Sequence, residues 1–248
     1  MKKKNKSIYR VLELGEERLE YELFLGSYKN INLRVREDGS IRVSANQRIP
    51  RERIDCFLLE KMSWIENARQ RISESNTLMS GGETPWRNGG VLPMFGRERT
   101  ILVSCNKKSS AYLDGDVIRV SVQEPSEEKI RRAVLRMAER ELKEYIDRLY
   151  PCVLNRFADY GVIPPQVRFR YMVSRWGSCC PAKKTVTLNR FLFLASESCI
   201  EYVIVHELSH MLELNHSSAF WAIVEKAMPD WKEQKRDLAR YGVLLKRL

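Results

Sequence analysis

Long apolar runs are missing from this sequence. No stretch approaches the roughly 18–20 consecutive apolar residues of a membrane-spanning helix, so no membrane span is expected. Met1 to Lys6 is basic, but no apolar segment follows it, and the pattern of a secretory signal is absent. The six cysteines, Cys56, Cys105, Cys152, Cys179, Cys180 and Cys199, contain no C-x-x-C pair. Without an export signal they read as free thiols in a reducing cytoplasm, which is the expected location. Cys179 and Cys180 read as small apolar residues packed near a turn rather than as metal ligands. No G-x-x-x-x-G-K-[ST] phosphate loop occurs. Scarcest of all is histidine. The chain has three, His206, His210 and His216, all within eleven residues.

That concentration points to a metal site. His206-Glu207-Leu208-Ser209-His210 is an H-E-x-x-H motif in an apolar, helix-periodic stretch. Residues i and i+4 are about 40° apart around a helix and roughly 6 Å apart along it. Two imidazoles so placed can converge on one Zn²⁺, or another divalent ion, at about 2.0–2.1 Å. Glu207, next to the first ligand, can act as general base to a metal-bound water. Tyr202, Val203, Ile204, Val205, Leu208, Met211 and Leu212 make the helix apolar round most of its circumference, hence buried.

Two residues can supply a third ligand. Glu213 returns to the face of His206 but lies about 10 Å further along the axis. His216 would lie about 80° away and roughly 15 Å along a straight helix, so it binds only if the helix stops first. Asn215 can provide that stop as a left-handed C-cap. Ser217 or Ser218 can then cap a second helix, leaving His216 in the elbow. His216 is the better candidate, because neutral imidazole suits zinc.

The stretch HELSHMLELNHSSAFW, with RWGSCCPAKKTVTLNRFLFLAS upstream, resembles the YgjP-like metallopeptidase family, relatives of the SprT-like and WLM metalloproteases. The matching residues are Arg175, Trp176, Gly177, Ser178, Cys179, Leu188, Asn189, His206, Glu207, His210, Asn215, His216, Ser217, Phe220 and Trp221. The resemblance implies metal ligands at His206, His210 and His216, a catalytic Glu207, and a zincin-like catalytic domain. It also brings an alternative, since members are described as metal-dependent hydrolases of nucleoside triphosphates such as UTP.

The expected fold class is α+β. Residues 1–124 read as a β-rich N-terminal region with one helix, and 125–248 as a helical catalytic domain with a small antiparallel sheet. Leu19, Tyr21, Leu23 and Leu25 alternate with polar residues. Ile31, Leu33 and Val35 turn through Asp38-Gly39 into Ile41, Val43 and Ala45, a hairpin pattern. Pro50 can open a helix as its first residue, with Ile54, Phe57, Leu58, Met62, Ile65, Ala68 and Ile72 on one face. Residues 74–93, rich in glycine, read as a loop that could cover the metal site with Trp86 as an apolar plug. The tetrad Ile41-Arg42-Val43-Ser44 recurs as Ile118-Arg119-Val120-Ser121 after a second Asp-Gly, an echo of one hairpin or a coincidence of strand-favouring residues.

In the catalytic half, Ser126 can cap a long helix that bends or breaks at Pro151. Val167, Phe169 and Tyr171 alternate as a strand, to be paired by Thr185 to Leu188. An edge strand there could receive an extended peptide. Arg175 is a candidate for holding substrate, by a carboxylate, phosphate or oxyanion. Asn189 is a weaker candidate, better suited to fixing backbone. Trp231 to Leu248 reads as a closing helix.

The formal net charge is +11, with Lys and Arg spread along the chain. This permits nucleic acid or phosphate-bearing partners without demanding them. The leading expectation is a zinc-dependent hydrolase acting on peptides. The alternatives are a nucleoside triphosphate hydrolase and a nucleic-acid-associated protein with a structural metal. Oligomeric state is not legible.

Overall fold

Alternating apolar residues build the first sheet. The computed structural model describes residues 6–14, 17–36, 38–78, 84–242 and 244–246. In it β1 (Lys6–Leu14), β2 (Glu17–Gly26), β3 (Asn32–Val35) and β4 (Ile41–Asn46) form a sheet in the order β1-β2-β4-β3. Leu19, Tyr21 and Leu23 of β2 and Ile41, Val43 and Ala45 of β4 are buried, as a side-chain period of two requires. Gly39 closes the β3–β4 turn at φ +79°, where any Cβ is disfavoured. Pro50 is the N-cap of α1 (Arg51–Glu60), not its first helical residue. The expected single helix is two, α1 and α2 (Met62–Leu78), meeting at Lys61. Ile54, Leu58 and Ile65 complete this first core.

The second sheet repeats the plan. Strands β5 (Val91–Met94), β6 (Arg97–Cys105), β7 (Ser110–Asp114) and β8 (Val117–Val122) lie in the order β5-β6-β8-β7. In both sheets the two outer pairings are antiparallel, and the central one, β2 with β4 or β6 with β8, is parallel. The recurring tetrad occupies matched places: Ile41 and Val43, like Ile118 and Val120, are the buried pair. The echo in the sequence is therefore a repeat of a whole four-stranded sheet, larger than one hairpin.

The chain divides into two compact units, Met1–Ser75 and Asn76–Leu248. The boundary expected between residues 124 and 125 is corrected to this one for a physical reason. Ile101, Ile118, Val120 and Val122 of the second sheet share one core with Ile130, Val134 and Met137 of α3 (Glu127–Asn155). The loop expected over residues 74–93 is shorter. Residues up to Leu78 belong to α2, residues 79–83 lie outside the described residues, and β5 begins at Val91. Trp86 is buried in the core of the second unit and is no plug.

Ser126 caps α3 as expected, its Oγ accepting a hydrogen bond from Lys129 N at 3.3 Å. The helix continues past Pro151 to Asn155, with Val153 beyond the proline fully buried. Core packing there outweighs the missing hydrogen bond. A third sheet follows, of β9 (Gln166–Arg170), β10 (Gly177–Cys180) and β11 (Thr185–Asn189), in the order β10-β11-β9. It is mixed rather than antiparallel: β11 runs antiparallel to β10 but parallel to β9, because the chain reverses twice between β9 and β11. Three helices complete the unit, α4 (Glu197–Ser209), α5 (Ser218–Ala227) and α6 (Trp231–Tyr241). The last ends short of the expected span to Leu248, with Gly242 after it. The fold class is α+β. Among the described residues no helix is long and apolar enough to cross a membrane.

Candidate metal centre

The apolar segment before the H-E-x-x-H motif makes α4 a core helix. Ser196 caps it, accepting from Cys199 N at 3.3 Å, and Ile200, Val203, Ile204, Val205 and Leu208 are buried. The helix stops at Ser209, well before Asn215. Its last turn tightens, with Met211 N donating to Leu208 O and Leu212 N to Ser209 O. The Glu213 carbonyl folds back to within 3.0 Å of His210 Nδ1. Ser217 then caps α5, accepting from Phe220 N at 3.3 Å. His216 sits in the elbow so formed.

There the three imidazoles meet. One ring nitrogen from each of His206, His210 and His216 lies within 4.8 Å of the others. His206 Nε2 and His216 Nε2 are 3.1 Å apart. Two ligands at about 2.0–2.1 Å from one tetrahedral ion are separated by roughly 3.3 Å, so the observed approach fits a shared cation. The carboxylate of Glu213 is not in the group; its carbonyl orients His210 instead. Burial, and after it the neighbouring His210, hold His206 far below the usual imidazole range, at about 3. The same causes lower His216. Neutral rings are the form that ligates metal. Phe220 packs its ring 5.0, 4.5 and 4.8 Å from those of His206, His210 and His216, and Trp221 stacks on His216 at 5.7 Å. The Phe-Trp pair of the sequence motif is thus the wall behind the histidines.

Glu207 is 5% exposed. Burial pushes its carboxyl up to about 7, with Arg175 pulling partly the other way. It rests against β10. A Cβ at Gly177 would lie 2.5 Å from Glu207 Oε1 and 2.7 Å from its Cγ, so only glycine leaves the carboxylate where it is. Arg175 is exposed beside it. Asn189 is 0% exposed. Its Nδ2 donates to Met172 O at 2.7 Å and Arg175 O at 2.8 Å, and its Oδ1 accepts from Phe191 N at 3.2 Å. These bonds pin the segment that carries Arg175. The edge strand beside the helix is β10, and β11 is central. Cys179, with its thiol pushed up to about 12 by burial, packs its Sγ 3.4 Å from Met211 Sδ. Among the described residues neither Cys179 nor Cys180 joins the histidine group.

A sequence model described as "YgjP-like, metallopeptidase domain" matches residues 29–241. The chain belongs to the YgjP-like family. As a YgjP-like metallopeptidase it is a hydrolase of the kind that works with a divalent metal. The crystal structure of the metallopeptidase zymogen of Pyrococcus abyssi abylysin is 28% identical over 40% of this chain and 88% of that one, with a TM-score of 0.29. At that score the likeness carries no argument about arrangement. No curated protein matches the chain.

Sequence reasoning missed two residues of this YgjP-like site. Lys235, on α6, lines the same cavity as Arg175, His206 and Glu207. Gly177 was visible only as a motif letter, and its contact with Glu207 is made across two elements. Nothing in the local pattern of α6 marks Lys235, since the helix alternates charge along its exposed face.

Proposed function

We propose that this YgjP-like chain is a zinc-dependent peptidase, with His206, His210 and His216 holding one zinc ion and Glu207 acting as general base. The observation that carries this reading is the convergence of three imidazoles beside a buried carboxylate. An all-imidazole donor set favours zinc over magnesium or calcium, which take oxygen ligands. When bound, zinc lowers the pKa of a water to about 7 and polarises the scissile carbonyl.

Glu207 accepts a proton on its carboxylate and returns it to the leaving amine. Its carboxyl near pH 7 suits both transfers. Gly177 keeps that carboxylate against β10, and Asn189 keeps Arg175 at the cleft, where its guanidinium can hold a polar group of the substrate. Among the described strands β10 is bonded to β11 alone, which leaves an edge that can accept an extended peptide by main-chain hydrogen bonds.

The test is the purified protein with zinc, an unstructured protein such as casein, and Glu207→Gln. One zinc per chain is expected in both proteins, with casein cleavage in the parent falling about 10³-fold in the variant. Full activity in the variant would remove Glu207 from the mechanism. The second reading, hydrolysis of nucleoside triphosphates such as UTP, is favoured by the two cations at the cleft, Arg175 and Lys235. Phosphate release from UTP without casein cleavage would install it instead.

A further inference from the structure

The cavity beside the histidines has a charge imbalance. It measures about 290 Å³, and Arg175, Lys235 of α6, Glu207 and His206 are among its lining residues. Lys235 is held by rings, not by an acid. Its Nζ lies 4.3 Å from the centre of Trp221 and 5.5 Å from that of Trp231, two indoles stacked 4.2 Å apart at 15°. Among the described residues neither Arg175 nor Lys235 has a carboxylate in ion-pair contact. Cations over indole faces keep their charge available to a second partner. Two cations, Arg175 and Lys235, share the cavity with one carboxylate, Glu207, so it can take a further anion.

Size and lining narrow what that anion is. Pockets for drug-sized ligands are roughly 300–1,000 Å³, so at about 290 Å³ this cavity is matched to a small group such as one side chain. Trp176, Tyr202, Val203 and Leu238 give it apolar walls, which suit the methylenes of an acidic amino acid. We infer that this cavity is a substrate subsite that binds a peptide carboxylate between Lys235 and Arg175, so that Lys235 sets a preference for acidic substrates. This rests on the peptidase reading and adds a substrate class to it.

Matched fluorogenic peptides test the idea, differing only in Glu, Gln or Lys beside the scissile bond and in a free or amidated C-terminus. In the zinc-loaded parent, kcat/KM for the Glu peptide should exceed that for the Gln peptide by about tenfold, the value of one charge-assisted hydrogen bond. Lys235→Met should erase that ratio and Lys235→Glu should turn it toward the Lys peptide, both with unchanged zinc content. A preference for free over amidated termini, lost in Lys235→Met, assigns the carboxylate to the chain end and equally supports the subsite. Equal losses on all peptides, or no charge preference in the parent, would overturn it. A second arm needs no turnover: zinc-loaded Glu207→Gln is titrated with glutarate, glutaramide and inorganic phosphate while tryptophan fluorescence is read. Glutarate binding that disappears with Lys235→Met supports the subsite even if no peptide is cleaved, in which case only the peptidase reading fails. Phosphate binding tighter than glutarate, or no difference between glutarate and glutaramide, overturns it.

Discussion

The two four-stranded sheets are built alike and used differently. Both have the order outer–central–central–outer with a parallel central pair, and both bury an Ile-x-Val pair after an Asp-Gly turn. The first closes its core with α1 and α2 through Ile54, Leu58 and Ile65. The second shares its core with α3 and, through it, with the helix that carries Glu207. The same strand plan can therefore be a self-contained unit or one wall of a candidate active site. What differs is the helix that follows: α3 is long enough to cover the sheet and still offer Leu142 and Ile146 to the elements beyond.

The matched positions give the sharpest test of that contrast. Ile41→Ala and Ile118→Ala should each cost about 2–5 kcal/mol, as buried Ile deletions do. Zinc should raise the unfolding temperature of the Ile118→Ala transition, since binding to the native state stabilises only what unfolds with the site. The transition lowered by Ile41→Ala should not respond. A single transition shifted by zinc in both variants would show that separate cores do not unfold separately.

The next largest effect concerns the elbow. Dividing the roughly 10–16 kcal/mol of four-ligand structural zinc sites among their ligands gives about 2.5–4 kcal/mol for one of them. His216→Ala should thus weaken zinc affinity some hundredfold or more by competition with a chelator, and Glu213→Ala far less. The reverse order would make Glu213 the ligand and leave His216 outside.

In the metal-free protein the raised carboxyl of Glu207 has a definite pH signature. The folded state holds a proton between the ordinary 4.5 and about 7 that the unfolded chain has released. Its contribution is complete below 4.5 and lost as pH rises through about 7. Glu207→Gln should stabilise the chelator-treated protein at pH 8 by up to about 3 kcal/mol, and barely at pH 4, in denaturant titrations. Equal effects at both pH values would mean that the carboxyl is not shifted by burial.

Gly177→Ala is expected to act more gently. The added Cβ must push Glu207 aside, lowering kcat about 10- to 100-fold through misplacement while zinc affinity stays within about twofold. Loss of zinc together with activity would point to collapse of β10 against α4 instead.

Periodicity alone was enough for β2, β3, β4 and α3, and spacing was enough to single out His206 and His210, because i and i+4 share a helix face whatever surrounds them. The capping serines, Ser126 and Ser217, were readable for the same reason: a cap acts within three residues. The early end of α4 at Ser209 was not, since the segment is apolar to Leu212 and nothing local marks the point where the Glu213 carbonyl turns back to His210. The course of α3 past Pro151 followed from burial of Val153, a tertiary fact.

By itself, then, the sequence determined the candidate site residues, three histidines and one glutamate in and beside a helix-forming stretch, together with the α+β alternation of elements and the repeated strand tetrad. Tertiary structure alone decided how they are used. It put His216 at 3.1 Å from His206, laid Gly177 against Glu207, turned Asn189 inward and brought Lys235 from α6 to the cleft. The reason is range. Helix and strand periods act over a few residues, whereas these contacts join segments far apart in the chain, and only packing of the whole core brings them together.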